Sequence, residues 1–205
     1  MPEPGSRRPH CRVARAACGA RQVRALLTCI ALAASSPALA DAKAGAKKAE
    51  LCLLCHKPDN RMAYVPTLQG QTREYLIAQL KSFKERRRPD TAMQNNVAGL
   101  SVHDMADIAD YFAAQRPVRP HFTPEPEQIA RGKEVAGALG CGGCHGAGYA
   151  GHKEAARLAG MEPRYLAIQL SLFAAGKRPH PAATQLQQIS PADAEVLAQF
   201  FASLH

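Results

Sequence analysis

Two short segments hold the residue types best able to do chemistry, Cys52-Leu53-Leu54-Cys55-His56 and Cys141-Gly142-Gly143-Cys144-His145. Each reads C-x-x-C-H, the spacing at which a chain attaches a c-type haem. Two thiols three positions apart, at the end of a helix, reach both vinyl groups of one porphyrin. The next residue, His56 or His145, then falls beneath the iron and offers its imidazole as proximal ligand. The expected cofactors are two covalently bound haem c groups, one on Cys52 and Cys55 and one on Cys141 and Cys144. A thioredoxin-like redox pair would need a βαβ setting, and no run with strand alternation occurs. A disulfide closed across C-x-x-C would be strained and would leave both histidines unexplained.

The elements that must position these motifs come in two copies. Cys52 maps onto Cys141 at an offset of 89, and Gly70, Tyr75, Gln79, Leu80, Phe83, Arg88 and Pro89 map onto Gly160, Tyr165, Gln169, Leu170, Phe173, Arg178 and Pro179 at 90. Ser101, Asp104 and Phe112 return to an offset of 89 at Ser190, Asp193 and Phe201. The chain is a tandem duplication, and a four-thiolate zinc site would have to draw its motifs out of separate repeats. Each copy reads as helical. A helix starting near Ala42, and again near Glu127, runs into each cysteine pair; a middle helix carries Tyr75, Leu76, Leu80 and Phe83, matched by Tyr165, Leu166, Leu170 and Phe173. A last helix opens on Ser101 with Asp104, and on Ser190 with Asp193, as a capping box. The expectation is an all-α chain of two domains, residues 41–116 and 127–205, each of about three helices around a covalent haem. Pro117, Pro120, Pro124 and Pro126 make the segment 117–126 an extended linker. Cores this small are marginal unaided, which again points to a large cofactor.

Gly146-Ala147-Gly148-Tyr149-Ala150-Gly151 spells GxGxxG, but no strand precedes it, so it reads as a flexible loop rather than a nucleotide site. Arg86, Arg87 and Arg88 cluster at a helix end, where placement at the negative terminus is the expected role. Arg88 recurs as Arg178, which leaves a contact to a haem propionate as the alternative.

Composition acquires meaning once position is considered. The chain of 205 residues holds seven cysteines and 26 Lys+Arg against 17 Asp+Glu, a formal charge of +9. Residues 1–40 read as a signal peptide: six arginines, an apolar stretch from Ala25 to Ala34, and Ala38-Leu39-Ala40 before the cut. That apolar stretch, about ten residues, is too short to span a bilayer. Cys11, Cys18 and Cys29 leave with the leader, as do its six arginines and Glu3, so a chain cut after Ala40 keeps net +4. The charge argument for nucleic acid then largely disappears, and no transmembrane span is expected after signal removal.

The leader, the two C-x-x-C-H sites about 90 residues apart, the Pro-x-Leu-x-Gly segment at Pro66, the Tyr-x-x-x-Gln-Leu helix at Tyr75 and the capped last helix resemble the di-haem class I cytochromes c of the cytochrome c4 type. The likeness covers residues 41–205. It implies that the sixth ligand of the first iron is a methionine before the last helix, which is Met93 here, in a loop from Pro89 to Gly99. It also implies that the Pro66 carbonyl orients the proximal histidine. The second copy departs at both places: Ala183 stands at the methionine position and Ala156 replaces the proline. Either His180, three positions before Ala183, ligates the second iron, or that site is open to water and small ligands; His152 is a weaker candidate. The resemblance implies an electron carrier rather than an enzyme, in the periplasm, soluble or peripherally held. It would pass electrons from a quinol-oxidising complex or dehydrogenase to a terminal oxidase or reductase. The alternative is a haem enzyme or ligand-binding protein acting at an open second haem.

Overall fold

The computed structural model describes residues 42–59, 62–123 and 125–204. The expected leader, residues 1–40, lies outside the described residues. The first repeat contains α1 (Ala42–Lys48), a 3₁₀ turn at Cys52–Leu54, α2 (Arg73–Lys84), α3 (Thr91–Val97) and α4 (Val102–Ala113). The second contains α5 (Pro126–Ala138), α6 (Gly142–His145), a 3₁₀ turn at Ala147–Tyr149, α7 (Pro163–Ala174), α8 (Ala183–Leu186) and α9 (Pro191–Ser203). The described residues hold no strand beyond an isolated bridge between His152 and Ala155, so the all-α expectation holds.

In each repeat the first helix crosses the last. A β-carbon on Gly45 would sit 2.0 Å from the Asp107 carbonyl oxygen, and one on Gly132 would sit 2.1 Å from that of Val196. Only glycine lets the two backbones come this close, and the crossing aims the end of the first helix at the cysteine turn. Both last helices begin on the capping box read from the sequence: Ser101 Oγ accepts from the Asp104 amide and Ser190 Oγ from the Asp193 amide, each at 3.1 Å. Apolar residues at helical spacing then turn inward. Ile108, Ala109 and Phe112 join Leu76 and Ala49 in one core, while Leu197, Phe200 and Phe201 join Tyr165, Leu166 and Val135 in another.

Turns before the middle helices repeat as well. Gly70 and Gly160 have φ of +68° and +67°, a left-handed conformation that glycine tolerates. Their amides donate to the Phe112 and Phe201 carbonyls at 2.9 Å, tying each turn to its last helix.

Three expectations need correction. Met93 does not lie in an irregular loop: Asp90 caps α3 by accepting from the Met93 amide at 3.0 Å, which draws Thr91–Val97 into a helix. The linker ends one residue early, because Pro126 occupies the first turn of α5, where a missing N–H costs nothing. The GxGxxG segment is a hydrogen-bonded turn: the Tyr149 amide donates to Gly146 at 3.0 Å, and the Tyr149 carbonyl accepts from Leu158 at 2.9 Å.

Replacing Gly132 by alanine drives a methyl group into the Val196 carbonyl. Overpacking of this kind costs about 1–3 kcal/mol, so thermal unfolding of the haem-loaded Gly132→Ala protein should show a lower midpoint than the parent.

Candidate haem sites

Each C-x-x-C-H segment closes one helical turn. The His56 amide donates to the Cys52 carbonyl at 2.9 Å, and the His145 amide to that of Cys141 at 3.1 Å. The first cysteine and the histidine four positions on therefore share one side of the turn. Cys52 and Cys141 are half-buried and Cys55 and Cys144 exposed, and no disulfide joins any of the four. Burial pushes the Cys52 and Cys141 thiols up from their ordinary value.

The histidines are held identically. His56 Nδ1 lies 2.7 Å from the Pro66 carbonyl oxygen, and His145 Nδ1 lies 2.7 Å from that of Ala156. A carbonyl can only accept, so each Nδ1 carries the proton and each Nε2 keeps its lone pair. Burial also pushes both rings below the ordinary histidine value, which favours the neutral, ligating form. Ala156 thus supplies the same backbone oxygen as Pro66, although it lacks the ring. Two thiols and a neutral imidazole with a free Nε2, on one turn, fit the attachment of haem. Among the described residues, no cluster of three or more His, Cys, Asp or Glu side chains would hold a bare metal ion.

The regions expected to supply sixth ligands differ between the repeats. Met93 is half-buried on α3, and Asp90, at the cap of that helix, acts electrostatically on His56. In the second repeat, the His145 and His180 ring centres lie 6.2 Å apart with planes 22° from parallel. His180 is half-buried rather than solvated, with the edge of Phe173 against it at 4.7 Å. Burial first, then His145 and Arg178, push its pKa down to about 4. Its Nδ1 accepts from the Ala182 amide at 3.0 Å, so the proton of the neutral ring sits on Nε2. His152 is exposed in its loop.

Sequence reasoning missed the seam between the repeats. Arg88 is not a surface charge at a helix end: it is 9% exposed, lies over the Phe83 ring at 4.4 Å and reaches into the second repeat. There it donates to Tyr165 Oη at 2.9 Å and Gln169 Oε1 at 3.2 Å, as well as to Gln79 Oε1 in its own repeat at 2.7 Å. Arg178 returns the contact. It lies over Phe173 at 4.5 Å and donates to Tyr75 Oη and Gln79 Oε1 at 3.1 Å each. Burial alone would raise the Tyr165 hydroxyl, but the two guanidinium charges outweigh it and hold the group below its ordinary value. The recurrence of Arg, Tyr and Gln at equal offsets was the available signal; that the pairs cross between copies was not.

Two helical repeats, each setting a carbonyl-held histidine at the end of a C-x-x-C turn, define a c-type cytochrome with two haems. The family model described as Cytochrome c matches residues 129–205. Cytochrome c4 of Pseudomonas aeruginosa is 32% identical over 194 residues, 88% of this chain and 96% of that protein. Cytochrome c4 of Azotobacter vinelandii is 30% identical over 88% of this chain and 97% of its own length. The crystal structure of reduced recombinant cytochrome c4 from Pseudomonas stutzeri superposes with a TM-score of 0.74 at 27% identity, covering 80% of this chain and 99% of that one. The chain belongs to the cytochrome c4 family, and it is a di-haem electron-transfer protein with covalently bound haem c.

Arg178 also donates to Gln169 Oε1, so Arg88 and Arg178 share Gln79 and Gln169 and their replacements should not add. Arg88→Met strands buried acceptors, at a cost of about 1–3 kcal/mol. Denaturant unfolding of the two single variants and the double variant should show the second replacement costing less than the first.

Proposed function

We propose that the chain is an exported electron carrier whose two sites differ in potential. Cys52 and Cys55 bond the first haem, with His56 proximal and Met93 distal; Cys141 and Cys144 bond the second, with His145 proximal and His180 distal. Residues 1–40 are the export signal, 41–116 and 126–205 the two haem domains, and 117–125 the linker, with Pro126 already in α5. The setting is the periplasm, where covalent attachment occurs on an exported chain, and no helix of the described residues is long and apolar enough to cross a membrane. The partners are redox proteins: a quinol-oxidising complex or dehydrogenase as donor and a terminal oxidase or reductase as acceptor.

The chemistry that haem supplies is one-electron exchange between ferrous and ferric iron. The protein's contribution is to hold the ligands still through that exchange. The carbonyls of Pro66 and Ala156 orient His56 and His145 and keep the Nδ1 protons in place. The observation that carries the reading of the second site is the separation of His145 and His180. Metal-to-imidazole bonds of about 2 Å leave two opposed rings about 6 Å apart between centres, and these rings are 6.2 Å apart. His180 would offer a free Nε2 only as the tautomer with its proton on Nδ1, in which the Ala182 amide loses its acceptor. Methionine ligation raises potential relative to a second histidine, so the first haem is the higher-potential site.

A spectrum of the oxidised protein, followed by reduction and addition of carbon monoxide, tests this. Two low-spin haems that both refuse carbon monoxide are expected; a single high-spin haem that binds it removes His180 as ligand and favours the open, enzyme-like reading. His180→Ala should create that binding site in the second haem alone. Met93→Ala should abolish the histidine–methionine optical signature and lower the first potential; persistence of the signature would refute Met93.

A further inference from the structure

The carbonyl that holds His145 belongs to a peptide gripped from the other repeat. The Ala156 oxygen and the Arg157 amide are two ends of one rigid plane, the peptide joining these residues. At one end the oxygen accepts from His145 Nδ1 at 2.7 Å. At the other, the Arg157 amide donates to Gln71 Oε1 at 2.6 Å. Gln71, in the first repeat and 3% exposed, also donates through Nε2 to the Arg157 carbonyl at 3.0 Å. Its Oε1 accepts from the Thr72 amide at 2.9 Å, so the amide group is fixed on both sides.

Arg157 returns the grip. Its side chain donates to the Gly70 and Gln69 carbonyls at 3.1 Å each, and to the Ala159 carbonyl. Gln69, 1% exposed, in turn lies 3.4 Å from the His56 carbonyl through Nε2. Nothing equivalent is needed in the first repeat. There the His56 acceptor is Pro66, whose ring already fixes the backbone. Thr67 stands at the place of Arg157, and the second repeat has Met161 at the place of Gln71.

We propose that Gln71, with Arg157, is a positioning residue for the second haem: it fixes the peptide whose oxygen holds His145, the role that proline plays in the first repeat. The inference rests on His145 being the proximal ligand. A well-held acceptor for the Nδ1 proton makes the imidazole a more basic ligand and stabilises ferric iron. Gln71 also polarises the peptide from its amide end, which strengthens the carbonyl as an acceptor. Loosening the grip should therefore raise the second midpoint potential. Removing the Arg157 cation by itself should do the opposite, so the neutral Gln71 is the cleaner probe.

The test is a redox titration of haem-loaded Gln71→Met, which places the second repeat's own residue in the first. The midpoint of the second haem should rise, of the order of a tenfold change in the reduced-to-oxidised ratio or about 59 mV, and that of the first should stay. Thr72→Val removes another bond across the seam, Thr72 Oγ1 to the Lys153 carbonyl at 2.7 Å, and should move neither midpoint. Equal shifts in both haems, or no shift, overturn the proposal. If Gln71→Met does not load haem, hydrogen exchange of the unaltered protein decides: the Arg157 amide should exchange as slowly as the amides of α9. Exchange as fast as at the exposed Lys153 and Glu154 would overturn it. The two readings can be separated, because a failure of the grip leaves His145→Ala still able to strip the second haem of its low-spin spectrum. If His145→Ala leaves that spectrum intact, the ligand assignment has failed instead.

Discussion

The bond from each motif histidine to a backbone carbonyl, 2.7 Å in both repeats, is the contact around which the rest of the structure is arranged. An imidazole that is to bind a metal must have one nitrogen free and the other committed. A carbonyl commits Nδ1 without ambiguity, since it can only accept. The oxygen must then be held on a segment some ten residues further on, Pro66 or Ala156. The glycine turns at Gly70 and Gly160 tie that segment to the last helix of each repeat. The close crossings at Gly45 and Gly132 fix the helix from which the cysteine turn departs. Both ends of the histidine contact are therefore anchored to the same last helix.

Duplication has left the two repeats alike in frame and unlike in detail. The first keeps Pro66, Thr67 and Met93; the second has Ala156, Arg157 and Ala183 at the corresponding positions and brings His180 towards His145. The seam is where the copies compensate for each other. Arg88 and Arg178 each stack on a phenylalanine of their own repeat and bond a tyrosine of the other. Their hydrogen-bond acceptors, and those of Arg157, are neutral oxygens. Burying a guanidinium is costly unless its donors are satisfied, and here several fixed oxygens satisfy each one. Burial leaves its mark on Arg157, whose pKa is pushed down to about 10. Three cations lodged at one seam make it a region of positive potential.

Much of this was legible in the sequence because it depends on local spacing. C-x-x-C-H is a chemical requirement written in consecutive residues, and the capping boxes at Ser101 and Ser190 are local geometry. The helical stripes ending in Phe112 and Phe201 follow from a period of 3.6 residues, and the duplication from offsets of 89 and 90. The departure of the second repeat was also readable, as a missing methionine. What only the tertiary structure decided depends on which distant groups meet. Whether His180 was solvated or faced His145 turns on how the α7–α8 connection folds back, which no spacing encodes. Asp90 capping α3 made a helix where glycine, asparagine and proline suggested a loop. Arg88 looked like an exposed charge because a run of arginines at a helix end usually is; its burial required a tyrosine 77 positions away in sequence. Gln71 gripping the Ala156–Arg157 peptide is the same kind of fact. A single repeat specifies its own turn, but the partner for a buried donor is supplied by the other copy, and sequence order does not say where two copies touch.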